Sequence, residues 1–476
     1  MGSIELTVIV DDMRTIRAQL NRGETKFQGT PDNLYLETIR IFENWLRLRR
    51  LSSRKELEVL GSYLYKVLFR GEVEDSFKRA LVTATQDKEH LRVQLSFSGN
   101  AADLASLPWE YLYYPDTEYH RGFFLATRAD LVLSRYMPLE EPQSITPIES
   151  SLRILLVISD PEDEHLEPVV AEPIIEAMEK LVETNAITFG RLEKPTIDNF
   201  IDKLEEFQPH VLHFFGHGRY DEERKEAEIA LFDIDERRGA WLTDRMFADC
   251  FTRARPVPRL VFLHLGESNT KNFKANFERL APELIRTNIQ AVVAMRYPIE
   301  TKAATVFCRT FYGELAKGES VDVAVQMGRH KITTSDANTR VFGTPVLYMQ
   351  TSDGLVQPKA SIASKGARRG GGPIPPAKQE VEPTKTGPLV SSTETGSASI
   401  VKTTILAGKK TIDEIKNPSV DKLKMYQMLS KLRDQLLAKN TLEEMRGVLS
   451  NKYFEVDLEF QPVIYAMMRA VEDIIL

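Results

Sequence analysis

Cysteine is nearly absent from this chain: Cys250 and Cys308 are the only two in 476 residues. That excludes a disulfide framework as the organising principle. The absence of any Cys-x-x-Cys pair removes the spacing a structural zinc site would show, so no metal is expected. Both cysteines sit among apolar neighbours in helical-looking stretches and read as small core residues. No apolar run approaches the ~20 residues a membrane helix needs, so no membrane partner is expected. The first residues, MGSIELTVIVDD, have neither a charged nor an apolar leader region, and a cytoplasmic protein is expected. Basic excess is missing too: the net charge is −7, not the footprint of a nucleic-acid binder. There is no Gly-x-x-x-x-Gly-Lys-Ser/Thr loop and no Gly-x-Gly-x-x-Gly after a strand, which leaves a nucleotide-binding reading without its motif and gives no cofactor to expect.

What remains is an ordinary globular composition, 42% hydrophobic and 28% charged. The N-terminal region, residues 1–145, reads as α+β. Strands are expected at Ile4–Val10, Arg92–Phe97 and Leu131–Arg135, with helices over 31–50 and Lys55–Phe69. The basic run Leu46-Arg47-Leu48-Arg49-Arg50 reads as a solvated helix face. From Leu152 the pattern changes. Short apolar strands at Leu152–Ser159, Ile187–Leu192, Val211–Phe215, Leu260–Leu265, Ala291–Met295 and Val346–Met349 alternate with helical stretches. Those helices are expected near 169–183, 197–207, 241–251, 273–286, 301–316 and 320–331. This alternation over 150–352 predicts an α/β fold, a mostly parallel sheet flanked by helices. Residues 353–405 are rich in Gly, Pro, Ser and Thr and read as a flexible linker. Residues 406–476 read as a small all-helical domain. Its first helix carries Leu423, Tyr426, Leu429, Leu432 and Leu436 at helical spacing, and Thr441-Leu442-Glu443-Glu444 forms a capping box.

Two strand ends could carry chemistry. His210–Phe215 breaks into Gly216-His217-Gly218, and Arg259–Leu265 breaks into Gly266-Glu267-Ser268. In parallel α/β sheets functional residues collect at the carboxyl ends of strands. A cysteine protease puts its base and its nucleophile at such a pair of ends. Caspases set the histidine ~50 residues before the cysteine; Gly266 follows His217 by 49 residues.

His213-Phe214-Phe215-Gly216-His217-Gly218 resembles the histidine motif of CHAT domains, relatives of the caspases and separases. Leu263–Ser268 resembles the family's cysteine motif, which usually ends in Cys-Glu-Ser, with Gly266 in place of the cysteine. Ala291–Pro298, Phe311–Gly318 and Gly343–Tyr348 continue the similarity, and Gly61–Phe69, Leu107–Leu112 and Phe124–Arg135 resemble the segment that precedes many CHAT domains. The narrower caspase signature, Gln-Ala-Cys, is absent. The resemblance implies a caspase-like fold and a cysteine endopeptidase acting on protein substrates. His217 would be the general base, position 266 would carry the nucleophile, and the backbone N–H groups of Gly218 and residue 266 would form the oxyanion hole. With glycine at 266 covalent catalysis is impossible as written. Two explanations stand, an engineered knock-out and a natural pseudoprotease that serves as a binding scaffold.

Asp233, Asp235 and Asp244 are candidates for an acidic S1 pocket, and equally ordinary loop and cap acids. Ser268 lies two residues beyond 266 and reads as pointing elsewhere. His213 and His264 sit within strands and read as structural. Leu432–Leu437 with Thr441–Met445 resembles the death-fold-like effector-associated domains of bacterial immunity proteins. That implies docking to a sensor or adaptor partner through 406–476, in bacterial defence or regulated cell death.

Overall fold

The structure is a computed structural model. It describes residues 3–20, 23–29, 33–51, 53–115, 121–138, 151–162, 166, 168–221, 223–233, 238–253, 256–267, 273–336, 340–351 and 354, and then 401, 404–405, 407–409, 422–439, 444–445, 447–449, 452, 463–464 and 467–468. The chain divides into two compact units, Met1–Pro358 and Lys359–Leu476.

The first unit opens with β1 (Ser3–Val10), β2 (Thr15–Leu20), β3 (Gly23–Gln28), α1 (Asn33–Arg47), α2 (Arg54–Leu68), α3 (Glu72–Asp87) and β4 (His90–Phe97). Then come α4 (Ala102–Ala105), β5 (Tyr113–Tyr114), β6 (Phe123–Phe124) and β7 (Leu131–Tyr136). The second half runs β8 (Leu152–Ile158), α5 (Glu172–Glu183), β9 (Ile187–Glu193), α6 (Ile197–Phe207), β10 (Val211–Asp221), β11 (Glu226–Phe232) and β12 (Gly239–Thr243). It closes with α7 (Asp244–Arg253), β13 (Leu260–Glu267), α8 (Phe273–Arg286), β14 (Ala291–Met295), α9 (Thr301–Ala316), α10 (Val321–Ser335) and β15 (Pro345–Met349).

Thirteen of these strands form one sheet in the order β12-β11-β10-β13-β14-β15-β7-β4-β1-β2-β3, with β8 on β10 and β9 on β8. Seven of its pairings are parallel and five antiparallel among the described residues. The mostly parallel α/β sheet expected from the sequence is therefore present. Its extent was not foreseen: β15 pairs with β7, so the sheet runs unbroken from the second half into the N-terminal region.

The central strands are apolar on both sides because helices cover both faces. On one face Phe200 and Leu204 of α6, Phe247 and Phe251 of α7, and Leu280 and Leu284 of α8 pack on Leu212, Phe214, Val261 and Leu263. On the other, Ile174 and Met178 of α5, Phe307 and Phe311 of α9, and Val325 of α10 pack on Val211, Phe215, Leu260 and Phe262. Helix starts follow local chemistry. Ser53 and Glu56 form a capping box at α2, as do Thr196 and Asn199 at α6. Pro173 sets the first turn of α5. The helix expected from 241 begins at Asp244 instead, because 239–243 is the edge strand β12; the Thr243 hydroxyl accepts the Met246 N–H at 3.3 Å.

Buried and half-buried ion pairs hold the N-terminal elements together and join them to the rest of this unit. Arg135 donates to both oxygens of Glu110, at 3.0 and 2.9 Å, with both side chains buried. Arg296 of the β14–α9 turn is fully buried and pairs with Glu43 of α1 at 2.5 Å. Arg92 of β4 reaches Asp322 of α10 at 2.7 Å.

In the second unit the principal described helix is α11 (Lys422–Leu437). Its buried stripe is Met425, Leu429, Leu432 and Leu436, a 4-3-4 spacing that places one apolar face inward. Met425 therefore takes a place the sequence reading had not given it. Val401, Ile405, Met445, Leu449, Val463 and Met467 are buried as well. The linker residues 355–400 and the Thr441–Leu442–Glu443 part of the capping box lie outside the described residues. No described helix is long and apolar enough to cross a membrane.

Candidate active site

Strands β10 and β13 lie side by side and parallel, and their register sets His213 opposite Phe262, Phe215 opposite His264 and His217 opposite Gly266. Alternate residues share a face, so these three pairs form one column on the α5/α9 side of the sheet. Its rungs are ring stacks. His213 lies on Phe262 with centroids 4.3 Å apart, and Phe215 on His264 at 4.1 Å. His213 Nδ1 meets the Tyr312 hydroxyl at 2.9 Å. Burial, with His264 nearby, holds the His213 imidazole well below its ordinary pKa. Burial likewise brings His264 down to about 4. Both rings are neutral at pH 7, as a structural role requires. The column ends at His217 and position 266.

At that point β10 changes partner. Its first half pairs with β8 over Val211–Phe215, and its second half with β11 over Gly218–Asp221. Gly216 and His217 fall between the two. Ser159, just past β8, closes the junction: its N–H donates to Phe215 O at 2.8 Å and its hydroxyl to Ala230 O at 2.7 Å. This crowding explains Gly216. A Cβ there would sit 2.9 Å from Ser159 Cβ, Ser159 O and the Phe214 ring, closer than real Cβ atoms come. Gly266 is different. A Cβ there would have Gly216 O at 3.6 Å, His217 Cε1 at 3.8 Å and His217 Nδ1 at 3.9 Å, all ordinary contacts. Its φ is not among the positive values either. Neither space nor backbone asks for glycine at 266. A side-chain atom one bond beyond that Cβ, turned toward the ring, comes within hydrogen-bond reach of Nδ1.

A cavity of about 220 Å³ opens over the pair, lined by Val169, Phe215, His217, His264, Gly266 and Thr301 among others. Asp160, at the carboxyl end of β8, accepts the Val169 N–H at 3.3 Å and so ties that wall to the strand end. Arg49, just past α1, also lines the cavity and is its one charged side chain among the described residues. Asp160 could have been found by the strand-end rule that picked out His217. Arg49 carried no such signal, since only the fold brings α1 to this place.

The other candidates are dispersed. Gly218 is buried in β10, opposite Ile229 of β11 and Glu267 of β13. Asp244 is buried, paired with Arg279 at 3.1 Å, and lines a different cavity of about 610 Å³ on the α7/α8 side. The structure does not bring it to His217. Asp233 follows β11, its N–H donating to Arg238 O at 2.9 Å, and does not line the His217 cavity. Asp235 and Ser268 lie outside the described residues. Cys250 and Cys308 are buried in α7 and α9, and burial pushes the Cys250 thiol up to about 11 and the Cys308 thiol higher. Neither is a thiolate at neutral pH.

The CHAT domain profile matches residues 58–366. The chain belongs to the CHAT domain family. That span takes in β10, β13 and the whole cavity column. No curated protein matches the chain. Among solved structures, the Arg-specific cysteine proteinase gingipain R is similar over 60% of this chain and 71% of its own, at 12% identity and TM-score 0.37. The Saccharomyces cerevisiae separase–securin complex is similar over 67% of this chain, at 15% identity and TM-score 0.31. This chain spans 23% of that separase-complex chain.

Proposed function

We propose that this CHAT protein is a caspase-like cysteine endopeptidase in an inactive form, with glycine standing where the nucleophilic cysteine belongs. One observation carries this reading. Position 266 lies beside His217 on the same face, with room for a side chain against the imidazole, whereas its neighbour Gly216 has no such room. In the active form a thiolate at 266 attacks the scissile carbonyl. His217 holds the thiol proton and returns it to the leaving amine. The N–H groups of Gly218 and residue 266 receive the oxyanion. The substrate is a polypeptide. The resemblance of the C-terminal helices to effector-associated domains supports a further step, recruitment by a sensor or adaptor in bacterial defence. The alternative is a natural pseudoprotease that binds partners in the same cavity.

The test is cleavage. Gly266→Cys is incubated with candidate protein substrates, alone and with candidate activators, beside a Gly266→Cys, His217→Ala control. Discrete products from the first and none from the second support the peptidase. Binding of the same candidates with no cleavage by either favours the scaffold.

A further inference from the structure

The His217 cavity does not end at α9. It shares Thr301 and Thr305 with an adjoining groove of about 440 Å³ that runs along the helix to Arg309 and to Lys331 of α10. Taken together, the charged residues lining the two recesses are Arg49, Lys302, Arg309 and Lys331, with no carboxylate among the described residues. Lys302, Arg309 and Lys331 are exposed. None of the three has a side-chain hydrogen bond or ion pair with a described residue. Some helix-surface cations elsewhere in this chain are paired, while Lys55, Lys180, Arg245 and Arg253 stand like these three without a side-chain partner among the described residues. Arg54 has Glu58, Lys78 has Glu74, Lys203 has Glu206, Arg286 has Glu283 and Lys317 has Glu314. What sets these cations apart is that they line one continuous pair of recesses with no carboxylate beside them, in a protein of net charge −7. The amino end of α9, at Thr301, adds its own positive partial charge between the two recesses. Glu300, the residue before it, does not line either recess and lies near Arg340 instead.

We propose that this track is the substrate-binding surface, and that the polypeptide it takes is acidic, with carboxylates on the side of the scissile bond that crosses α9. This rests on the peptidase reading above. Charge complementarity carries it: a chain seated over His217 shares the cavity with Arg49 and, continuing across Thr301 and Thr305, enters a groove lined by Lys302, Arg309 and Lys331. A basic segment there would meet only like charge.

Binding separates this idea from catalysis, because the Gly266 protein can be used as it is. A fluorescent glutamate-rich peptide and its glutamine counterpart are titrated by anisotropy into the full chain. The acidic peptide should bind more tightly by about tenfold or more at low salt and lose that margin at 1 M salt, where the Debye length is about 3 Å. The triple variant Lys302→Glu, Arg309→Glu, Lys331→Glu should abolish the preference. The corresponding triple glutamine variant should weaken it, and both should keep the parental melting temperature. In Gly266→Cys the bound acidic peptide should slow alkylation of the new thiol by iodoacetamide. No preference between the two peptides overturns the proposal, and cleavage of neutral substrates by Gly266→Cys in that case leaves the peptidase reading standing. Tighter binding of an oligonucleotide of matched charge, lost in the triple glutamate variant, overturns it in favour of a nucleic-acid surface. Acidic binding that protects the thiol, without cleavage of any substrate, upholds the surface and counts against the enzyme.

Discussion

Two glycines one strand apart should respond oppositely to the same methyl group. In Gly216→Ala the new Cβ meets Ser159 Cβ, Ser159 O and the Phe214 ring, each at 2.9 Å. Ser159 is fixed by its bonds to Phe215 and Ala230, so the strain falls on the β8–β10 junction. Overpacking of this kind costs about 1–3 kcal/mol. In Gly266→Ala the nearest atom is 3.6 Å away, and the backbone is one any residue adopts. Replacing a strand glycine by alanine then stabilises by about 0.5–1 kcal/mol through lost unfolded-state entropy. The two variants should differ by about 1.5–4 kcal/mol. At on the order of 1–3 °C per kcal/mol for a unit of this size, that is several degrees in melting temperature, with Gly266→Ala at or above the parent and Gly216→Ala below it. Thermal unfolding of the full chain by circular dichroism reads both. If Gly266→Ala falls as far as Gly216→Ala, glycine at 266 is a structural need, and the idea of a vacated nucleophile position fails.

Arg135→Met leaves Glu110 buried without its partner and should cost about 3–5 kcal/mol, seen as a clear drop in melting temperature. Burial raises the Glu110 carboxyl, but Arg135 outweighs it and the net pKa is below the ordinary 4.5. A lowered folded pKa means stability that is full above pH 4.5 and lost as pH falls toward the folded value; the melting-temperature gap between the parent and Glu110→Gln should therefore narrow on acidification and vanish if the pair contributes nothing. Tyr312→Phe removes the partner of His213 Nδ1 inside the core and should cost about 1–3 kcal/mol by denaturant titration. Neither Cys250 nor Cys308 should react with iodoacetamide in the native protein at pH 7.5, while both react after unfolding; mass spectrometry counts the adducts.

Much of this was legible because the central strands are apolar on both faces, although β10 runs on through Gly216-His217-Gly218 to Asp221 and β13 through Gly266 to Glu267 where the sequence suggests that the strands break. The sequence stated the α/β sheet, the strands carrying His217 and Gly266, and most helices of the second half. The antiparallel pieces were harder to read. β3 is exposed along most of its length, so it lacks an apolar alternation. β11 and β12 pair antiparallel at the edge of the sheet, and their pairing is set by β10 rather than by a local pattern. Helix α3 carries a local signal in Val73, Phe77, Ala80 and Ala84, which recur at helical spacing. The continuity of the sheet depends on β7 meeting β15 across more than two hundred residues, which no local pattern encodes. The cationic track has the same character. Lys302 and Arg309 stand seven residues apart on α9, but only packing adds Arg49 and Lys331 to them, whereas Asp244 looked chemical in sequence and is a buried partner of Arg279.

The pairing of residues 217 and 266 can be tested without knowing any substrate. In Gly266→Cys the rate of alkylation of the new thiol is followed against pH, with and without His217→Ala. If the two positions form a cysteine–histidine pair, the midpoint lies below the free-cysteine value of about 8.5 and returns toward it when the imidazole is removed. A midpoint at or above that value, unmoved by His217→Ala, would contradict the account.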